Sequence, residues 1–493
     1  MQLVKRIILT VSLIGPYSIM AQNIDDVNRF SSPMYLGTPR YMATGGAFGA
    51  LGNDFSAVAI NPAGIAVFRH TQLSGSFGWR NQFTESNYLG FSENDPINPG
   101  SVAENKQNMV LNNLGFVKKF TSADETWDYS LGITFNQNNN FNLRSTISGN
   151  NPYSSIIDEW IFYANGFSPN QLESNGLYAE KLAYDHYLIN PDANNQYSTP
   201  ATGIPVSQYV TIDQNGSKNE FGISGGASLM DRLYLGGSLN IQFVNFRRKT
   251  SHNESGFTGD SIRSFTYNRT DNIFGTGVNL RFGAIYRLTR DLRVGLALES
   301  PTWYSFEQTT TLEMQTRFVN GSETEPSSIE TYPYVWRMSS APRLTASAAY
   351  VFGKAGFLSV DYDLMAYPWQ NTGAPDFSME YLNRDIDDLL AFGHNLRVGA
   401  EIRAGKFAFR GGGGFATSPF SSSVRSNMLK DPGLMTHYGL GIGFHDLHWG
   451  VDLAYAIQNA SQDYYLYSPS LGAGANLNET RSLFNVGFYF RLK

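Results

Sequence analysis

From Thr71 onward the chain alternates very short turns with long polar loops, and these join runs of ten or more residues in which apolar and polar side chains alternate. Strands are expected near 71–80, 109–120, 128–137, 219–230, 232–246, 273–289, 291–309, 334–352, 356–369, 394–404, 406–415, 434–444, 447–457 and 483–492. That makes fourteen strands with seven long connections and six short ones. An even strand count with short turns at one end and long loops at the other is the layout of an outer-membrane β-barrel. A soluble sandwich also alternates, but it has no reason to sort its loops by length onto opposite ends. The expected fold is therefore all-β: a 14-stranded antiparallel transmembrane barrel.

The alternation gives each strand one oily and one wet side. Leu233, Leu235, Gly237, Leu239, Ile241 and Phe243 share one face, against Tyr234, Gly236, Ser238, Asn240 and Gln242. Leu292, Val294, Leu296 and Leu298 oppose Arg293, Gly295, Ala297 and Glu299. Phe484, Val486, Phe488, Phe490 and Leu492 oppose Asn485, Gly487, Tyr489 and Arg491. Lipid outside and a polar lumen inside account for this pattern, and closure satisfies the backbone without a free edge. With 28 Tyr and 34 Phe there are enough aromatics for interfacial girdles. The mean hydropathy of -0.27 excludes a bundle of membrane helices.

Lys5 and Arg6 followed by the apolar stretch Ile7–Ile19 read as a secretory signal over residues 1–21, with Ala21 as the cleavage residue. The chain has no cysteine, which excludes thiol chemistry, Cys-ligated metal and a lipoprotein anchor. A net charge of -6 argues against nucleic acid as a partner.

Residues 22–70 do not pattern as strands. They contain the small-residue run Tyr41–Gly52, a short helical stretch Asp54–Ile60 and the turn Asn61-Pro62-Ala63-Gly64. Gly45-Gly46-Ala47-Phe48-Gly49 lacks the Lys-Ser/Thr ending of a phosphate loop, so nucleotide binding is rejected. The combination Arg40-Tyr41-Met42-Ala43-x-Gly45-Gly46-Ala47, Asp54-x-Ser56-Ala57 and Asn61-Pro62-Ala63-Gly64 resembles the N-terminal hatch of the FadL family, outer-membrane transporters of long-chain fatty acids and other hydrophobic compounds. Asp291–Pro301, Asn395–Arg403 and Phe407–Pro419 are similar to later stretches of that family. Two departures stand out: a large insertion at about 138–218, and an Arg491-Leu492-Lys493 ending that leaves Phe490 as the terminal aromatic.

The resemblance implies a hatch over 22–70 inside a barrel over 71–493. It implies capture of a hydrophobic solute by outer loops, passage to a lumenal site, and lateral release into the membrane through a kink in the third strand. Uptake would be passive. The expected partners are hydrophobic cargo, the lipid bilayer and lipopolysaccharide, the expected state is a monomeric barrel, and the expected location is the outer membrane of a Gram-negative bacterium. Hatch candidates are Gly45, Gly46, Gly49, Asn61, Pro62, Ala63 and Gly64. Pro62 stiffens its turn, and the glycines permit close backbone packing.

Asn136, Asn138, Asn139 and Asn140 are the candidate kink, since a polar run sits poorly against lipid; the plainer reading is that they begin the long outer loop. Ile156, Trp160, Ile161 and Phe162 form either an exposed capture patch or a small cap packed on its own loop. Arg281, Arg287, Arg293, Arg397, Arg403 and Arg491 lie on polar strand faces and are candidates for a headgroup contact. Structural pairing with neighbours such as Glu299 and Glu401 is the expected role for most of them.

No cofactor or metal is expected. His445-Asp446-Leu447-His448 falls in a short turn and has no HExxH-type companion. The serine-rich loop Ser418–Ser423 has no nucleophile elbow, so a lipolytic enzyme is the weaker class. A general porin needs no hatch. A haem or aromatic-compound uptake barrel stays open as an alternative.

Overall fold

The computed structural model describes residues 24–32, 34–90, 100–122, 126–425, 430, 433–468 and 474–492. The expected signal segment 1–21 lies outside these residues. Fourteen antiparallel strands close into a barrel. They are β1 (Thr71–Gly90), β2 (Ser101–Thr121), β3 (Trp127–Asn140, resuming as Leu143–Asn151), β4 (Val206–Leu229), β5 (Leu233–Ser255), β6 (Ile262–Arg287) and β7 (Leu292–Glu299 and Trp303–Phe318). The ring continues with β8 (Tyr334–Ser339 and Arg343–Val351), β9 (Gly356–Met365 and Asn371–Gly373), β10 (Gly393–Ala404), β11 (Phe407–Thr417), β12 (Leu434–His445), β13 (Trp449–Tyr465) and β14 (Gly474–Leu492). β14 pairs with β1 from Leu492↔Thr71 to Gly474↔Gly90, which closes the ring.

The two faces follow the sequence pattern. Leu131, Leu239, Phe243, Leu298 and Phe490 point outward and are exposed, whereas Ser238, Asn240, Gln242, Asn395, Arg397 and Asn485 are buried inside. An outer surface this apolar is a lipid-facing surface, because a water-facing one would leave these side chains without a dry partner. Inside, charge is compensated locally: Arg397 Nη2 lies 2.8 Å from Asp363, and Arg410 Nη1 lies 2.6 Å from Asp452.

Several expected boundaries are corrected. The insertion expected at 138–218 is shorter, because β3 resumes over Leu143–Asn151 and β4 already begins at Val206. Strands expected as continuous at 291–309, 334–352 and 356–369 are each broken, at 300–302, 340–342 and 366–370. Pro301 and Pro342 sit in two of these breaks, where a residue without an N–H cannot serve the ladder. β1, β2, β5, β6, β7, β13 and β14 extend well beyond their expected ends, and Phe265, Leu312 and Leu477 of these extensions are buried in the apolar core of the cap.

Residues 152–205 form a cap of three helices, α4 (Ile156–Ala164), α5 (Pro169–Leu172) and α6 (Tyr178–Asp185), over the long-loop mouth. Its apolar core joins Ile157, Trp160, Leu172, Leu182 and Leu188 to Ile147, Val210 and Phe265 of the upper strands.

Candidate functional site

The lumen is filled from within by the N-terminal segment. Its helices are α1 (Ile24–Ser31), α2 (Pro39–Ala43) and α3 (Phe55–Val58), followed by a 3-10 turn, Pro62–Val67. Local capping sets these pieces. Asp54 Oδ1 accepts from Ser56 N at 2.9 Å, its Oδ2 accepts from Thr38 Oγ1 at 2.7 Å, and Asn61 Oδ1 accepts from Ala63 N at 3.1 Å. Asn61 Nδ2 donates to Gly49 O at 2.8 Å and to Ala284 O of β6 at 3.2 Å, so one side chain ties the turn to the segment and to the wall. The wall grips backbone elsewhere: Asp361 Oδ2 accepts from Phe48 N at 3.0 Å and Gly49 N at 2.9 Å, and Asn485 Nδ2 donates to Gly37 O at 2.7 Å.

Close approach depends on inward-facing glycines of the strands. A Cβ on Gly236 would stand 2.5 Å from Ala63 N, one on Gly412 2.7 Å from Gly45 N, and one on Gly399 2.8 Å from Thr44 Cβ. Gly45, Gly46, Gly49, Asn61, Pro62, Ala63 and Gly64 are all buried in this packing. The wall glycines and Asp361 were not singled out from sequence. Their signal was present as glycine on the polar face at every second position, as in Gly439-Leu-Gly441-Ile-Gly443.

β3 departs from its neighbour at the Asn run. Its ladder with β2 covers Asp128↔Thr121 through Asn136↔Asn113 and stops there. Beyond that point β2 pairs with β1, and β3 pairs with β4 up to Asn151↔Val206, with a register shift between Gln137 and Asn139. The resumed strand leans into the lumen: Ser145 Oγ meets inward-facing Ser86 Oγ at 2.7 Å, and Thr146 Oγ1 donates to Glu104 Oε1 at 2.6 Å. The asparagines satisfy the break. Asn113 Nδ2 donates to Asn136 Oδ1 at 2.7 Å, Asn138 Nδ2 donates to Glu220 at 2.9 Å, and Asn140 accepts from Arg80 and from Asn142 N. At these residues β3 parts from β2 while staying paired to β4.

Behind the break lies an aromatic chamber. Phe30 of α1 is fully buried there, stacked on Phe306 at 4.8 Å between ring centroids and edge-on to Phe141 at 5.8 Å and Phe246 at 6.0 Å. Trp336 backs the Phe306 ring at 4.4 Å. Lys218 Nζ donates to Phe30 O at 2.7 Å and anchors the end of α1. A small cavity of about 80 Å3 is lined by Phe30, Tyr304, Ile60, Asn136 and Asn138. Its charged groups are cross-paired: Arg281 meets Glu220 at 2.6 Å and Glu299 at 2.9 Å, and Arg343 meets Glu299.

The six candidate arginines divide in two. Arg281 and Arg397 are lumenal and bound to carboxylates. Arg287, Arg293, Arg403 and Arg491 stand by the short-turn mouth, on Asp231 O (2.8 Å), Leu51 O (3.3 Å), Glu401 (2.7 Å) and Leu447 O (3.0 Å). The expected outer patch is corrected in part: helical spacing turns Ile156 and Trp160 into the cap core, leaves Ile161 half-buried, and exposes Phe162 at 60%. At the end of β12, His445 Nε2 lies 2.9 Å from Asp452 of β13, and Asp446 of the following turn pairs with Lys406 at 2.7 Å.

The structure is thus a closed 14-stranded β-barrel whose inner wall packs against its own N-terminal segment. No family model matches the chain, and no curated protein does. Solved structures share its fold. A FadL homologue of Pseudomonas aeruginosa superposes with a TM-score of 0.57 at 11% identity, covering 94% of this chain and 99% of that one. The toluene transporter TodX of P. putida gives 0.52 at 12% identity, covering 93% and 99%. The monoaromatic hydrocarbon channel CymD gives 0.50 at 11% identity, covering 93% and 97%.

Proposed function

We propose that this protein is an outer-membrane channel for passive uptake of hydrophobic compounds, in which residues 22–70 act as the hatch and the third-strand break is a lateral exit into the bilayer. The cavity that joins the aromatic chamber to Asn136 and Asn138 carries this reading. It lies between the chamber and the stretch where β2 and β3 are unpaired, so widening it by side-chain movement would give an apolar solute a sheltered path out of the lumen. Such a path lowers the cost of moving an apolar group past a polar leaflet without coupling to an energy source. The cargo class follows from the present occupant: the Phe30 side chain is a tethered benzyl group, so the chamber fits an aromatic ring of toluene size. The solved barrels of like fold include transporters of toluene and of monoaromatic hydrocarbons, which favours the same class here. A long-chain fatty acid is the second candidate, favoured by the resemblance of the hatch motif.

Ligand binding to purified protein tests the reading. Toluene and a long-chain fatty acid are titrated while the emission attributable to Trp336 is followed, with Trp336→Phe as the blank. Saturable change with either ligand supports the chamber as the binding site. A response that persists in Trp336→Phe, or none with either ligand, sinks it.

A further inference from the structure

The short-turn mouth holds a second cavity, of about 360 Å3, lined by Arg40, Arg69, Arg293, Arg403 and Arg491 but by a single carboxylate, Glu401. Glu401 is already engaged by Arg40 at 3.0 Å, Arg403 at 2.7 Å and Arg410 at 2.6 Å. Among the described residues, no carboxylate is within ion-pair distance of Arg69, Arg293 or Arg491. Arg293 reaches only the Leu51 carbonyl, and its buried Nε has no hydrogen-bond partner. Arg491 donates to the Leu447 carbonyl and stacks on Tyr489. His70, in the same cavity, reports the local field. Its pKa is held below the ordinary imidazole value by partial burial, then by Arg491, Lys119 and Arg69.

Several guanidinium groups around one cavity, short of counter-charge, repel one another and present forked N–H donors. That donor set matches the oxygens of a phosphate group, which accepts paired charge-assisted hydrogen bonds. The groups also come from different parts of the chain. Arg69 belongs to the link below the plug, Arg293 to β7 and Arg491 to β14.

We propose that this mouth binds a phosphate-type oxyanion, and that the bound anion ties the N-terminal plug to the wall. Binding itself does not depend on the transport reading; the tie rests on the plug being the hatch. The phosphate group comes either from free inorganic phosphate or from the headgroup of an anionic phospholipid, and the test separates them.

Full-length protein in non-ionic detergent is titrated calorimetrically with inorganic phosphate, and amide exchange of residues 49–53 and 64–70 is measured with and without it. In parallel, exchange is compared in phosphatidylcholine and phosphatidylglycerol nanodiscs. The expected result for a free anion is saturable phosphate binding that slows these amides and weakens about tenfold in Arg69→Gln and in Arg491→Gln. Arg69 is exposed, so its replacement should leave the fold intact, and heat-modifiable gel mobility checks this. If the source is lipid, phosphate has no effect, but phosphatidylglycerol slows the same amides in wild type and not in the two variants. The proposal is overturned if neither phosphate nor phosphatidylglycerol protects these amides, or if the arginine variants respond as wild type does.

Discussion

Replacing Gly236 by Ala tests how the plug is seated. The new Cβ would stand 2.5 Å from Ala63 N and closer still to the Pro62 carbonyl, and both are backbone atoms that cannot rotate away. Overpacking of this kind costs about 1–3 kcal/mol. The barrel ladder around Gly236 does not have to move, since the clash is with the plug, so the cost falls on plug seating. At 1.4 kcal/mol per tenfold, the unseated population should rise by roughly 5- to 150-fold. The chain has no cysteine, so Ala63→Cys is a unique label at a fully buried position. The assay is the rate at which a maleimide labels Cys at 63 in cells, with and without Gly236→Ala. Gly237→Ala is the matched control, because its Cβ points outward and meets nothing nearer than a Phe282 ring carbon at 3.5 Å. Labelling should accelerate at least fivefold in Gly236→Ala and stay within twofold in Gly237→Ala. Equal rates in a folded Gly236→Ala barrel would refute the seating argument.

Phe30→Ala empties the aromatic chamber. It should loosen α1 by about 3 kcal/mol and tighten toluene binding, read by titration; weaker binding would show that Phe30 forms the site rather than occupying it. Glu401→Gln leaves Arg40 and Arg403 without a carboxylate partner and Arg410 with Asp452 alone, so plug and lower wall should lose about 3 kcal/mol, read as faster amide exchange around residue 40; unchanged exchange would mean the cluster is solvated. In the cap, burial first and then Glu159 push the Glu180 carboxyl up to about 7. Its protonated form suits the folded cap, so that contribution is present below the unfolded carboxyl range and is lost as pH rises through about 7. Intrinsic-rate-corrected exchange of residues 156–189 should therefore be slower at pH 5.5 than at pH 8, and Glu180→Gln should abolish the difference.

The lipid-spanning part of each strand was legible because lipid and lumen impose opposite demands on neighbouring side chains, as at Leu239 and Asn240. The upper extensions were not. In β2, Glu104-Asn105-Lys106-Gln107-Asn108 is polar on both faces, its half-buried side meeting Thr146 and Asp213, and nothing in the sequence marks a strand there. The Pro301 and Pro342 breaks were written in the sequence, although their effect on continuous-looking runs was missed. The Asn136–Asn140 run was visible, but where a ladder ends depends on β2, which lies elsewhere in the chain. The same holds for the plug: its own motifs were readable, whereas the wall glycines that receive it matter only through contacts such as Gly236 with Pro62, formed across more than a hundred residues. Which of the two readings of residues 156–162 applies differs by residue, since α4 turns Ile156 and Trp160 inward, four residues apart, and leaves Phe162 exposed.

Uptake itself tests the central claim most directly. Cells carrying the intact gene, a deletion, or a version lacking residues 22–64 are given labelled toluene and a labelled long-chain fatty acid. Uptake of at least one should fall on deletion and return with the intact gene, while the truncated form should also admit small polar solutes that the plugged barrel excludes. Equal uptake of both compounds in the deletion strain would contradict a hydrophobic-compound channel, and a truncated form as tight to polar solutes as the intact protein would contradict a lumen closed by its N-terminus.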